Sequence, residues 1–136
     1  MRNYGRALFF GVAVWLLGCS DGSSTNSAGA TADVTGSWCG KKVSAAADCS
    51  GDEVEYLELT QAVSGVVTGV SCEAFGKDCY DVQSGNYASG RLTYYYTFSS
   101  YRVDADFTST DQNTLTGVFH SDKCGCEVPR ILYRIP

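Results

Sequence analysis

The chain has 136 residues, enough for one domain, and its composition stands out in 7 cysteines and 9 tyrosines. Ten basic and 15 acidic side chains give a formal net charge of −5, and the basic ones are scattered, with only Lys41 and Lys42 adjacent. An acidic chain without a basic patch repels phosphate backbones, so nucleic-acid binding is excluded as a function class.

Arg2 and Arg6 make a positive start, and Ala7 to Leu17 follow as eleven residues without a charge. A bilayer-spanning helix needs about 20 apolar residues. The run has instead the length and the flank of a signal-peptide apolar region. It closes on Leu16-Leu17-Gly18-Cys19. This tetrad resembles the lipobox of bacterial lipoproteins, in which Leu, a small or aliphatic residue, and Gly or Ala precede a Cys. The resemblance implies cleavage after Gly18, diacylglycerol on the Cys19 thiol and acylation of the new amino group. Cys19 is then the lipidation site, and the membrane is a partner through it. Two or more acyl chains hold stably where one holds marginally, at ~0.8 kcal/mol per buried methylene. In enterobacterial lipoproteins an Asp directly after the Cys retains the protein at the inner membrane. Ser20 stands there, so the resemblance points to the bacterial cell envelope at its outer membrane.

Residues 1–18 are thus expected to leave as a signal peptide, taking Arg2 and Arg6 with them. Eight basic against 15 acidic side chains remain, a net charge of −7. Ser20 to Asp33 contains no large apolar residue and is rich in Ser, Gly, Thr and Ala. Such a segment cannot bury enough surface to offset its ordering entropy, so residues 19–33 read as the lipidated Cys and a flexible tether. The folded domain is expected over 34–136.

That domain reads as all-β, a small antiparallel meander of about eight short strands. The first is Val34 to Cys39. Val54 to Thr60 and Val66 to Ser71 form a hairpin through Ala62 to Gly65, and a short strand follows near Tyr80 to Val82. Arg91 to Phe98 places Leu92, Tyr94, Tyr96 and Phe98 on one face. Tyr101 to Phe107 alternates Tyr101, Val103, Ala105 and Phe107 against Arg102, Asp104 and Asp106, the pattern of one buried and one wet face. Ser99 and Ser100 join these two strands. Thr114 to His120 follows a polar turn at Thr110 to Asn113, and Ile131 to Ile135 ends the chain. Short strands at this spacing fit a closed or nearly closed barrel. Gly36-Ser37-Trp38 in the first strand resembles the Gly-x-Trp of lipocalins and the opening of avidin-type barrels. That resemblance implies a calycin-type barrel in which a basic residue on the last strand, Arg130 or Arg134, covers Trp38.

Six cysteines remain after Cys19: Cys39, Cys49, Cys72, Cys79, Cys124 and Cys126. An even number in an exported domain reads as three disulfides that staple a small core. Cys72 and Cys79 bracket a turn-like segment and are expected to pair, which stabilises by ~2.5 kcal/mol through loop closure. Cys124 and Cys126, on an extended chain, would stand too far apart to bridge. Cys39 and Cys49 are therefore expected to pair with them, in either order. Zinc is disfavoured, since no Cys-x₂-Cys pair occurs and His120 is the only histidine.

No catalytic constellation is legible. His120-Ser121-Asp122 holds triad residue types side by side, whereas a triad is assembled by a fold around an oxyanion site. No phosphate loop, Gly-x-Ser-x-Gly or zincin motif occurs. Asp48, Asp52, Glu53, Glu55 and Glu58 lack the spacing of a calcium loop, so no metal and no cofactor is expected. Among the tyrosines, Tyr95 faces away from Tyr94 and Tyr96, beside Arg102, Asp104 and Asp106. Tyr95, Arg102, Asp104 and Asp106 form the expected binding face, suited to sugars, peptides or protein partners. The chain reads first as a non-catalytic envelope binding module and second as a calycin-like carrier of a small apolar ligand. A small hydrolase or enzyme inhibitor ranks last. A filled barrel interior favours the first reading and a cavity of ~300 Å³ or more the second.

Overall fold

The computed structural model describes residues 33–42, 49, 54–73 and 77–136. The expected signal peptide, Cys19 and nearly all of the tether lie outside the described residues. Among the described residues there are nine strands: β1 (Gly36–Lys41), β2 (Glu55–Gln61), β3 (Val66–Glu73), β4 (Asp78–Asp81), β5 (Gln83–Ala88), β6 (Arg91–Phe98), β7 (Tyr101–Asp111), β8 (Thr114–Ser121) and β9 (Cys126–Arg134). Eight of them close an antiparallel barrel, β1-β2-β3-β5-β6-β7-β8-β9 and back to β1. β4 is an additional strand on the second half of β3, Val70 to Glu73, while β5 pairs with its first residues, Val66 and Val67. Among the described residues there is no helix.

The period-two pattern accounts for the inside of the barrel. Leu92, Tyr94 and Tyr96 of β6 and Val103, Ala105 and Phe107 of β7 turn inward and are buried. They join Leu57, Leu59, Val67, Tyr87, Leu115, Phe119 and Leu132 in one cluster. Phe119 sets its edge against Tyr94, Tyr96 and Phe107, with ring centres 5.1–6.4 Å apart. Burying one Leu or Phe side chain stabilises by about 1.5–3 kcal/mol, so this cluster, not strand propensity, holds the barrel closed.

Trp38 is fully buried at the end where the chain enters. Its indole Nε1 donates to the Val34 carbonyl at 2.9 Å, and the Arg134 guanidinium lies 4.4 Å from its ring centre. Arg134 also donates to the carbonyls of Asp33 and Thr35, which fastens the entering chain across the barrel end. Of the two arginines expected to cover Trp38, Arg134 does so, and Arg130 turns to Glu55 instead.

Three features depart from the expected pattern. β5 lies where the sequence pattern predicts no strand, between Val82 and Arg91, and Gln83, Ser84, Gly85 and Asn86 are poor strand formers. Gly85 enters the sheet because it has no side chain: a Cβ there would strike the Val67 carbonyl. β7 runs on to Asp111, and β9 begins at Cys126 and carries Pro129 opposite Val118. The disulfides also differ from the expected linkage of the two chain ends. Cys72 pairs with Cys79 as expected, but Cys39 pairs with Cys49, and Cys124 with Cys126. The extended-chain argument fails at Cys124 because Gly125 has φ of 62° in the turn, which brings the two Cα atoms to 5.1 Å. All three staples are therefore local, and barrel closure rests on the buried core and on the pairing of β1 with β9.

Candidate binding face

The register of β6 and β7 sets Tyr95 opposite Asp104, Thr93 opposite Asp106 and Thr97 opposite Arg102, all on the outside of the barrel. β5 lies on the other side of β6, with Gln83 opposite Tyr95 and Asn86 opposite Thr93. Two residues, Ser84 and Gly85, fit between those pairs on β5 where β6 has only Tyr94, so β5 bulges. Ser84 takes φ of 49° at the bulge. Bulges bend a strand and re-aim its side chains. Here the bend leaves a shallow concavity of about 570 Å³, lined by Ser84, Thr93, Tyr95, Arg102, Asp104 and Asp106, with Tyr94 and Ala105 at its base.

The charges on this face are matched in pairs. Arg102 Nε donates to Asp104 Oδ1 at 2.9 Å and Nη2 donates to the same oxygen, while the guanidinium carbon lies 3.7 Å from the Tyr95 ring centre. The Arg102 backbone N–H donates to Asp122 at 2.8 Å. Arg91 donates from Nε to Asp106 Oδ1 at 2.7 Å and from Nη2 to Oδ2. The hydrogen bond from Arg91 holds the Asp106 carboxyl below the usual carboxylate range. These four side chains are 43–62% exposed, so the pairs orient the face more than they stabilise the fold. Arg102 Nη1, Asp104 Oδ2 and the hydroxyls of Ser84, Thr93 and Tyr95 have no protein partner among the described residues.

A second polar group lies inside the barrel, at the end away from Trp38. Arg130 Nε donates to Glu55 Oε2 at 2.8 Å, and both side chains are largely buried. Burial pushes the Glu55 carboxyl above its usual range, and Arg130 opposes that shift. Among the described residues the buried Tyr94 hydroxyl has no hydrogen bond; Ser71 approaches it but does not meet hydrogen-bond geometry. Burial raises the Tyr94 and Tyr96 phenols well above the ordinary range. Tyr80 stacks on Tyr96 at 5.3 Å and packs against Phe98 at 5.1 Å, which roofs this end with rings.

The other residues singled out in the sequence disperse. His120 faces outward between Asp104 and Glu127, while Asp122 holds the Arg102 backbone. Glu55 points inward, whereas Glu58 accepts from the Ser37 hydroxyl at 2.7 Å. Asp48, Asp52 and Glu53 lie outside the described residues. No group of three or more His, Cys, Asp or Glu that could hold a metal ion occurs among the described residues. Tyr95, Arg102, Asp104 and Asp106, by contrast, gather on one face. Ser84 joins them from β5, a strand the sequence signals only through Tyr87, a lone aromatic next to a polar run. Comparison of the chain with protein families, curated proteins and solved structures finds no match in any of the three.

Proposed function

We propose that this chain is a membrane-anchored lipoprotein of the bacterial envelope, held by acyl chains on Cys19, whose barrel is a non-catalytic binding module. The observation that carries the binding reading is the concavity around Tyr95, where an outward aromatic ring is flanked by matched charges and by polar groups that have no protein partner among the described residues. The lipobox tetrad carries the anchor. Replacing Cys19 with Ala should move the protein from the membrane to the soluble fraction of fractionated cells; retention at the membrane to the same extent sinks the anchor. Full-length protein in detergent, incubated with outer-membrane extract and analysed by native mass spectrometry, should retain a component that Tyr95→Ser loses. That exchange should shift stability by no more than ~0.5 kcal/mol, as surface changes usually do. A Tyr95→Ser protein that unfolds, or one that retains every component, removes this face from consideration.

A second reading is a calycin-like carrier, and one observation favours it: the Tyr94 hydroxyl inside the barrel has no partner among the described residues, with Glu55 and Arg130 in the same interior. The cover of Arg134 over Trp38 also agrees with the calycin resemblance. The packing of Tyr87, Tyr94, Tyr96, Phe107 and Phe119 through the interior supports the first reading over this one. A carrier would lose its ligand on Tyr94→Phe and keep it on Tyr95→Ser, the reverse of the binding-face pattern.

A further inference from the structure

We propose that the concavity on β5, β6 and β7 binds a neutral oligosaccharide, with a sugar ring stacked on the Tyr95–Arg102 pair and its hydroxyls bonded to Asp104, Thr93 and Ser84. This rests on the face being the contact surface and adds the class of ligand.

Charge is the first support. Arg102 is matched by Asp104 and Arg91 by Asp106, so the charges of the concavity are taken up in pairs, and Asp122 beside them accepts from the Arg102 backbone N–H. An anion would have to compete with Asp104 or Asp106 for its arginine, and a cation with Arg102 or Arg91 for its carboxylate. A neutral ligand breaks neither pair.

The unfilled hydrogen bonds are the second. Arg102 Nη1 only donates, Asp104 Oδ2 only accepts, and the hydroxyls of Ser84, Thr93 and Tyr95 do both. A sugar ring offers the complementary set: adjacent hydroxyls that donate and accept, around an apolar C–H face that lies flat on an aromatic ring. The Tyr95 ring is already ordered by Arg102 at 3.7 Å, so little side-chain freedom is lost when a ligand docks. A peptide strand would instead need unpaired backbone at a sheet edge. At the Thr93 and Tyr95 rows, β6 is paired with both β5 and β7, and β7 is paired with both β6 and β8.

Shape is the third. A volume of about 570 Å³ falls within the ~300–1,000 Å³ range of small-molecule sites. The concavity is shallow and lies across three strands, which suits a chain passing over the surface more than a single ring enclosed within it. The strained Ser84, at φ 49° on the bulge, sets the rim.

The test is calorimetric titration of the full-length protein in a detergent without a sugar headgroup. The probes are neutral hexasaccharides of glucose, mannose and N-acetylglucosamine, a heparin-derived hexasaccharide and hexalysine. At least one neutral hexasaccharide should bind. Tyr95→Ser and Arg102→Met should each weaken it by about tenfold, the scale of a central contact residue. Thr93→Arg, which fills the concavity, should abolish it. Thermal unfolding of each variant shows that the barrel is intact. The proposal is overturned if no neutral sugar binds, or if heparin or hexalysine binds more tightly than all of them. If the envelope component lost by Tyr95→Ser is a protein or a lipid, the sugar assignment falls and the contact surface stands. If a neutral sugar binds and none of the three variants weakens it, the surface falls as well.

Discussion

Tyr94 and Tyr95 are adjacent in sequence and lie on opposite sides of one sheet, so the same side chain meets two environments. Inside, Tyr94 buries its ring against Phe119 but leaves its hydroxyl without a partner. A buried hydroxyl without a hydrogen bond carries its desolvation cost uncompensated, commonly 1–3 kcal/mol. Removing only that oxygen should therefore help the fold. We expect Tyr94→Phe to raise the urea midpoint, equivalent to about 1 kcal/mol of stability, with an unchanged slope. A lowered midpoint would mean that a water or a ligand satisfies the hydroxyl, and the interior reading would gain at the expense of the outer face. Outside, Tyr95 is half-buried and sets one ring face against Arg102, away from the core, so its loss should cost the fold little. This contrast was legible from the alternation along Arg91 to Phe98 alone. The orphan hydroxyl was not, because whether an inward tyrosine finds a partner depends on Ser71, which arrives from a different strand.

Among the elements, β6 and β7 could be read directly because their side chains alternate without interruption between apolar and polar. β5 could not, since its place in the sheet comes from what it lacks: Gly85 has no Cβ to strike Val67, and only Tyr87 reaches deep into the core. The missed strand carried with it Ser84 and the bulge that shapes the candidate site. The disulfides show the same division. Cys72 and Cys79 face each other as a cross-strand pair of β3 and β4, so their linkage follows from a hairpin that the sequence could suggest. The link between Cys124 and Cys126 depends on the backbone turn at Gly125, which spacing alone does not reveal. Because Cys72–Cys79 closes a short loop, replacing both cysteines with Ala should cost ~2.5 kcal/mol in denaturant unfolding and leave the circular dichroism of the β domain unchanged. Loss of the whole β signal would mean that this local staple, and not strand pairing, keeps the barrel closed.

At the scale of the whole molecule, closure brings the last strand beside the first, and two arginines of β9 reach inward, Arg134 at its end and Arg130 at its middle. Arg134 fastens the entering chain over Trp38, and Arg130 reaches past β1 to Glu55 at the start of β2. The sequence identified both arginines without separating their roles, because the difference lies in which end of the barrel each one meets. The Arg130–Glu55 pair should give the closed barrel a dependence on pH whose sign can be worked out. Burial is the largest influence on Glu55 and raises its carboxyl above the ordinary value of 4.5, with Arg130 opposing it. Arg130→Met keeps most of the packing and removes that opposition, so the folded-state value should rise further while the unfolded one stays near 4.5. A carboxyl raised in the folded state carries no penalty below its unfolded value and an increasing one as pH rises above it. At pH 7 the variant would hold an unpaired carboxylate inside the barrel, a defect of about 3 kcal/mol given that both groups retain some exposure. Urea midpoints of wild type and Arg130→Met should therefore lie far apart at pH 7 and converge as the pH is lowered toward 4.5. If the gap is the same at both pH values, the loss comes from packing alone and Glu55 is not the charge that Arg130 neutralises.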